Sequence, residues 1–270
     1  MEKQELAILN YTMFFFSTEI TSSHISSDTP LFQRTKKAYE LIADKVHGNI
    51  LEIGSGEGYG LEIIYNESLN ITAVDKASYA NHKLRQKFPK ATIIQQQVPP
   101  LTDIPSNSQD VVITFQVIEH IQNDRYFLEE IYRVLKPNGT LFLTTPNATQ
   151  SVTRNPWHYK EYLCKELTDL LSDTFTKVTV KGITGKKATM EYYDANKRSV
   201  AKILQWDILK LEKRAPKFLL RIPYEIFNRI NRRLLLKNNK ELVNNITSAD
   251  YFLTDDCNEN TLDFFCIATK

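Results

Sequence analysis

The sequence predicts a doubly wound α/β domain on a mostly parallel sheet. Three observations carry this. Short apolar runs alternate with segments of helical periodicity from Asn49 through residue 145. The first run empties into a glycine loop, "GSGEGYG", Gly54 to Gly60. The second run ends on an acid, Asp75. Strands alternating with helices make βαβ units with right-handed crossovers, and such units build parallel sheets. Their ligands sit beyond the carboxyl ends of the strands, at the topological switch point, and the glycine loop and Asp75 both fall there.

Taken in order, residues 30–47 place Leu31, Ala38, Leu41, Ile42 and Val46 near helical spacing, with Gly48 as a stop. "NILEIG" reads as a buried strand and "YGLEIIYNE" as the helix after it. "NITAVDKA" is a second strand, followed by a helix through "SYANHKLRQKF"; "ATIIQQQ" is a third. "QDVVITFQVIEHI" is a fourth, and "NDRYFLEEIYRVLKPNG" its following helix. There Phe127, Leu128, Ile131, Val134 and Leu135 share a face, and Pro137-Asn138-Gly139 supplies the end. "TLFLTTPN" is a fifth strand, "YLCKELTDLLSDT" a helix, "FTKVTVKGIT" a sixth strand and "TLDFFCIATK" a final one. Residues 190–250 interrupt this alternation and read as a basic helical insertion before the last strand. Residues 1–47 read as a helical N-terminal lid, and 48–189 with 251–270 as the ligand-binding domain.

Composition bounds the function. At 270 residues, with 42% hydrophobic and 24% charged residues, the chain can bury a sizeable core. Cys164, Cys257 and Cys266 are too few for a disulfide framework, and none are at C-x-x-C spacing, so no metal site is expected and a reducing cytoplasm is. The opening "MEKQELAILNYTMFFFS" reads as a mature helical segment. No window approaches the roughly 18 apolar residues of a spanning helix.

The glycine loop excludes two ligands. A dinucleotide fingerprint requires G-x-G-x-x-G, but Tyr59 or Leu61 stands where the third glycine belongs. A triphosphate loop requires a closing Gly-Lys-Ser/Thr, which is absent. Glu52, inside an apolar strand, is costly unless it meets a partner, such as a ligand's ammonium group or loop amides. Asp75 is placed to accept hydrogen bonds from two ribose hydroxyls.

At these residues the chain resembles the class I S-adenosylmethionine-dependent methyltransferases. "LEIGSGEG" is similar to that family's first motif, "AVDKA" to its second, "DVVITFQVIEHI" to the fourth-strand motif, and "EIYRVLKPNGTLFLTTPN" to the helix and strand that follow. The resemblance, in its small-molecule, quinone and sugar branch, implies a Rossmann-like sheet of seven strands with the last antiparallel, and S-adenosyl-L-methionine as cofactor. It implies that Gly54, Ser55, Gly56 and Gly58 bring backbone to the methionine portion, with Glu52 shaping the loop. Asp75 would hold the ribose and Lys76 lie against the adenine. An acid that many relatives carry after the third strand is missing from "QQQVPPL", so Gln97 or the Val98 amide would meet the adenine. Phe115 and Gln116 would lie beneath the transferable methyl.

The acceptor is sought further along the chain. His120, just past the fourth strand, is a candidate base or substrate contact, with loop-fixing as the alternative. "TPNATQSVTRNPWHYKEY" resembles an acceptor loop of sugar-modifying relatives, in which Asn147, Trp157, His158 and Tyr159 would line the site and His158 is a second candidate base. His24 reads as a surface residue of a Ser/Thr-rich stretch; the alternative is that the stretch is a lid over the cofactor, with Phe32 or Arg34 reaching inward. The expected acceptor is an oxygen of a small or glycan-like molecule, with a quinone or lipid-linked intermediate at the membrane as the alternative. A protein that binds the cofactor without transfer stands outside both.

One charge asymmetry stands apart. Asn196 to Lys240 holds 13 Lys and Arg against 3 Asp and Glu, a balance of +10 that leaves −8 for the rest of a chain at +2. "KFLLRIPYEIFNRINRRLLLKNNK" interleaves these cations with Leu219, Leu220, Ile222, Ile226, Phe227, Ile230, Leu234 and Leu235. Such a helix either caps the core with its apolar face, rests on anionic lipid, or meets an anionic acceptor. Nucleic acid is disfavoured because no aromatic stacking platform is present.

Overall fold

A computed structural model describes residues 25–77, 81–207 and 211–270. The N-terminal segment through His24 lies outside the described residues. The chain divides into two compact units. One comprises Arg34–Ser151, His158–Lys186 and Ser248–Lys270; the other takes the described residues before Arg34, with Val152–Trp157 and Lys187–Thr247.

The first unit is an α/β sheet. Its strands are β1 (Asn49–Ile53), β2 (Asn70–Asp75), β3 (Thr92–Gln95), β4 (Gln109–Phe115), β5 (Leu135–Pro146), β6 (Lys177–Gly185), β7 (Tyr251–Thr254) and β8 (Asp263–Thr269). They are ordered β3-β2-β1-β4-β5-β8-β6-β7. β1 pairs in parallel with β2 and β4, β2 with β3, and β4 with β5. β8 enters antiparallel between β5 and β6, and β7 pairs antiparallel with β6. The sheet therefore has eight strands, not the expected seven. β7 is four residues long and shows no alternation of its own; pairing Gly182–Gly185 makes it a strand. Consequently the helical insertion precedes the last two strands, not the last one.

Strand alternation sorts β1 between two faces. Leu51 and Ile53 join a cluster in which Phe127, Leu128, Ile131, Leu167 and Leu171 cover one side of the sheet. Each fully buried side chain of this kind stabilises the fold by roughly 1.5–3 kcal/mol. Glu52 points to the opposite side, where the Thr29–Glu40 helix supplies Tyr39. That helix stops at Glu40, before the expected residue 47, yet Ile42 in the following turn is still fully buried. The Asp124–Val134 helix is capped by Asn123, whose side chain accepts from the Tyr126 amide at 3.2 Å. It gives way to β5 at Leu135, earlier than the Pro137-Asn138-Gly139 stop expected from sequence. Pro137 disfavours helical backbone at Lys136, and Leu135 pairs instead with Gln109.

The second unit is helical, with Lys187–Leu204, Leu211–Arg214, Lys217–Asn238 and Lys240–Asn245. At its centre Asp28 is fully buried, with Arg229 Nη1 3.1 Å and Arg232 Nη1 3.0 Å from its Oδ1. Asn231 donates to Asn196 Oδ1 at 2.7 Å and accepts from the Ser199 hydroxyl at 2.6 Å. The three cysteines are free thiols. No described helix is long and apolar enough to cross a membrane.

Candidate functional site

The glycine loop leaves β1 at its carboxyl end, beside the ends of β2 and β4. Gly54 donates to Val74 O at 2.8 Å, with φ +83°. A Cβ there would stand 2.4 Å from Val117 Cγ2, so this glycine is required by packing as well as by conformation. Gly56, at φ +51°, differs: a Cβ would meet nothing within 4 Å. Its amide donates to Asp75 Oδ2 at 2.8 Å, while Asp75 Oδ1 accepts from Ala77 N at 2.8 Å. Asp75 thus ties the loop after β1 to the loop after β2. Gly58 heads the Tyr59–Ile64 helix and packs against Leu84. Of the expected loop residues, Gly56 presents backbone to open space, whereas Gly54 and Gly58 face protein. Ser55 is buried, and its Oγ has no hydrogen-bond partner among the described residues.

Glu52 is 0% exposed and accepts from the Tyr39 hydroxyl through Oε1 at 2.6 Å. Its Oε2 is buried with no partner among the described residues. Burial pushes this carboxyl up to about 7; the Tyr39 hydrogen bond opposes the shift and the Asp75 charge adds to it. The Tyr39 hydroxyl is in turn pushed above its ordinary value by burial and by Glu52.

The remaining expected cofactor contacts lie along the same edge. Lys76 and Gln97 are exposed, and Val98 is half-buried against the core cluster. Phe115 is buried with its ring 4.7 Å from Tyr39, edge to face. Gln116 turns the chain at φ +58°, its amide donating to Thr144 O at 2.9 Å and its Nε2 to Thr144 Oγ1 at 3.2 Å.

A cluster of titratable groups follows β4. Glu119 is buried and accepts from the Thr145 hydroxyl at 2.9 Å. Burial pushes its carboxyl up to about 7, against the charge of His158 and the Thr145 hydrogen bond. The His120 and His158 rings meet edge to face with centroids 4.8 Å apart. His158 Nδ1 lies 2.6 Å from Glu161 Oε1, and Ser151 Oγ donates to Glu161 Oε2. The Tyr159 amide donates to Glu119 O at 2.7 Å, which fixes the His158 loop to the end of β4. Glu119, His120 and His158 can each bring one ligand atom within 4.8 Å of the other two, a spacing a metal ion could use. Asp263, which opens β8, is buried and carries the Arg34 guanidinium 2.8 Å from Oδ2; burial raises its pKa, opposed by Arg34 and by a Gln116 hydrogen bond.

The expected acceptor residues are only partly brought together. His158 joins His120 as described, and Tyr159 is exposed. Asn147 is buried and committed to protein partners: Nδ2 donates to Asn258 O at 3.0 Å and Thr261 O at 2.8 Å, in the segment before β8, and Oδ1 accepts from Thr149 N at 3.1 Å. Trp157 belongs to the helical unit, where its indole donates to Glu225 Oε1 at 2.7 Å and Arg221 lies 4.4 Å over its ring. Sequence reasoning did not single out Tyr39, Glu119, Glu161 or Asp263. Asp263 carried the signal that marked Glu52, an acid inside an apolar strand; Tyr39 carried none beyond its helical spacing.

Comparison with known proteins finds likeness to methyltransferases. A sequence model of the methyltransferase domain matches residues 51–143. A probable S-adenosylmethionine-dependent methyltransferase of Mycobacterium tuberculosis is 36% identical over 159 residues, covering 56% of this chain and 58% of that protein. A ubiquinone biosynthesis O-methyltransferase of Rickettsia conorii is 26% identical over 187 residues, covering 62% of each. The chain therefore spans about three fifths of the curated relatives it matches. A solved S-adenosylmethionine-dependent methyltransferase from Archaeoglobus fulgidus shares the fold, with TM-score 0.53 and 17% identity over 89% of this chain and 94% of that one.

Proposed function

We propose that the α/β unit is a class I S-adenosylmethionine-dependent methyltransferase domain, in line with the matching domain model and the 36% identical relative, and that the protein methylates an oxygen of a small-molecule or glycan-like acceptor. The observation that carries the cofactor half is the loop at Gly56, whose backbone faces open space while Asp75 holds its amide. Glu52 fits the same ligand: its buried, unpartnered Oε2 is an acceptor suited to an ammonium group. Asp75 retains lone pairs for ribose hydroxyls after accepting its two amides, and Phe115 supplies an apolar wall.

When bound, S-adenosylmethionine supplies a methyl group on a sulfonium. The protein's part is to hold the acceptor in line with it and keep the pocket dry. An oxygen acceptor must also lose a proton. The His158–Glu161 pair supports that role, with Glu161 holding Nδ1 and orienting Nε2 as the proton-accepting nitrogen. His120, edge-on to it, fixes the ring.

A quinone or lipid-linked acceptor is the second reading, favoured by the O-methyltransferase likeness at 26% identity. Incubation with methyl-labelled S-adenosylmethionine and a cell extract tests both, because the labelled product identifies the acceptor. Incorporation into a soluble hydroxyl compound is expected; label in the lipid fraction selects the second reading. Tight S-adenosylhomocysteine binding with no incorporation would make this a cofactor-binding protein without transfer, and protection by NADH alone would remove it from methyl transfer altogether.

A further inference from the structure

The Lys217–Asn238 helix is inverted relative to the pattern of a soluble helix. Its inner side is mostly polar: Glu225, Arg229, Asn231 and Arg232 are buried beside Leu235, held by Trp157, Asp28, Asn196 and Ser199. Its outer side is apolar. Ile222 is 73% exposed and Phe218 66%, and Leu219, Ile226, Phe227 and Ile230 are at least about half exposed. Of the three sequence readings of this helix, a cap with its apolar face on the core is therefore not the arrangement of these six residues. The polar residues are anchored by a buried ion-pair cluster, so the helix cannot roll its apolar side inward without unpairing Asp28, an uncompensated buried charge.

A contiguous exposed apolar face of this kind marks a docking surface. We propose that it rests on the surface of an anionic lipid bilayer. Charge selects this occupant. Arg214, Arg221, Arg233 and Lys237 are exposed along or beside the apolar face, whereas Glu225, the helix's one acid, is buried against Trp157. A second copy would oppose the same cations to themselves; an anionic headgroup layer accepts both the cations and the apolar side chains. The helix has 22 residues, about 33 Å at the α-helical rise, and is not apolar enough to span. It therefore lies in the interface plane. Trp206, 85% exposed in the same unit, is a residue type that favours that depth.

Sedimentation of the full chain with vesicles tests this. Binding to phosphatidylcholine vesicles carrying phosphatidylglycerol is expected, with binding to pure phosphatidylcholine at least about tenfold weaker. The double variant Ile222→Ser, Phe227→Ser and the charge variant Arg233→Glu, Lys237→Glu should each lose about tenfold or more, since binding needs apolar area and cations together. All four side chains are exposed, so circular dichroism and thermal unfolding should match the parent. Calorimetric affinity for S-adenosylhomocysteine should also be unchanged, which separates failure here from failure of the proposed activity. A parent protein that stays in the supernatant with anionic vesicles overturns the proposal. So does a concentration-dependent dimer that the serine variant abolishes, since a second copy would then be the occupant.

Discussion

The Tyr39 hydroxyl donates to Oε1 of Glu52 at 2.6 Å, across an interface in which both groups are buried. A helix preceding the sheet thereby satisfies half of a carboxylate set inside the first strand, and leaves Oε2 without a partner among the described residues. Tyr39→Phe should destabilise the protein by about 1–3 kcal/mol at pH 8, where the orphaned carboxylate is charged, and by less at pH 5.5. Thermal unfolding at the two pH values measures this; equal losses at both would show that only ring packing matters.

Glu52 titrates near 7 when folded against 4.5 as a free side chain. The folded state then holds more protons across that interval. Its contribution to stability is complete below about pH 4.5 and falls as pH rises through 7, by at most ~1.4 kcal/mol per unit. Glu52→Gln should flatten this part of the profile, leaving the parallel contribution of Glu119. A ligand bearing an ammonium group favours the ionised carboxyl, so S-adenosylhomocysteine should bind more tightly above pH 7 and release a proton on binding at pH 6.5. Calorimetry in buffers of different ionisation heat reads that proton, and its absence would remove Glu52 from ligand contact.

Gly54 and Gly56 separate packing from ligand approach. Both have positive φ, so alanine at either costs about 1–2 kcal/mol in backbone strain. Gly54→Ala adds the collision with Val117 and should unfold at distinctly lower temperature than Gly56→Ala. Gly56→Ala should keep its fold and lose about tenfold or more in S-adenosylhomocysteine affinity, a difference of roughly 1.4 kcal/mol. Unchanged affinity would show that no ligand approaches that backbone.

His158→Asn should lower turnover by roughly a hundredfold or more at constant cofactor affinity, the scale of a lost general base. Glu161→Gln should weaken turnover less and move the pH–rate profile. Because Glu119, His120 and His158 also form a metal-sized cluster, the base assignment requires turnover to survive dialysis against EDTA. Loss that a divalent cation restores would make the three residues ligands instead.

Much of the fold was legible because its signals are local. The glycine loop and the acid closing β2 announce themselves by spacing, and Glu52 by its cost inside an apolar run. β7 was missed because four residues acquire strand character only from β6. Leu135 read as helix because its apolar spacing continues that of Ile131, although Pro137 and the partner strand take it into β5. Asn147 and Trp157 stood in the expected acceptor loop, but their hydrogen bonds run to residues about 70 to 115 positions away, which no local pattern encodes.

By itself, then, the sequence determined the α/β class, the place of the glycine loop after the first strand and the basic character of the insertion. Each follows from period, backbone conformation or charge within a short window. Only the tertiary structure decided that Tyr39 pairs with one oxygen of Glu52, that Glu161 and His120 flank His158, and that Asp28 draws Arg229 and Arg232 inward. Burial determines which polar groups must be paired, and the partners lie far apart in the chain. That last pairing holds the apolar side of the Lys217–Asn238 helix outward, against what its composition suggests, because turning the helix over would leave a buried carboxylate unpaired.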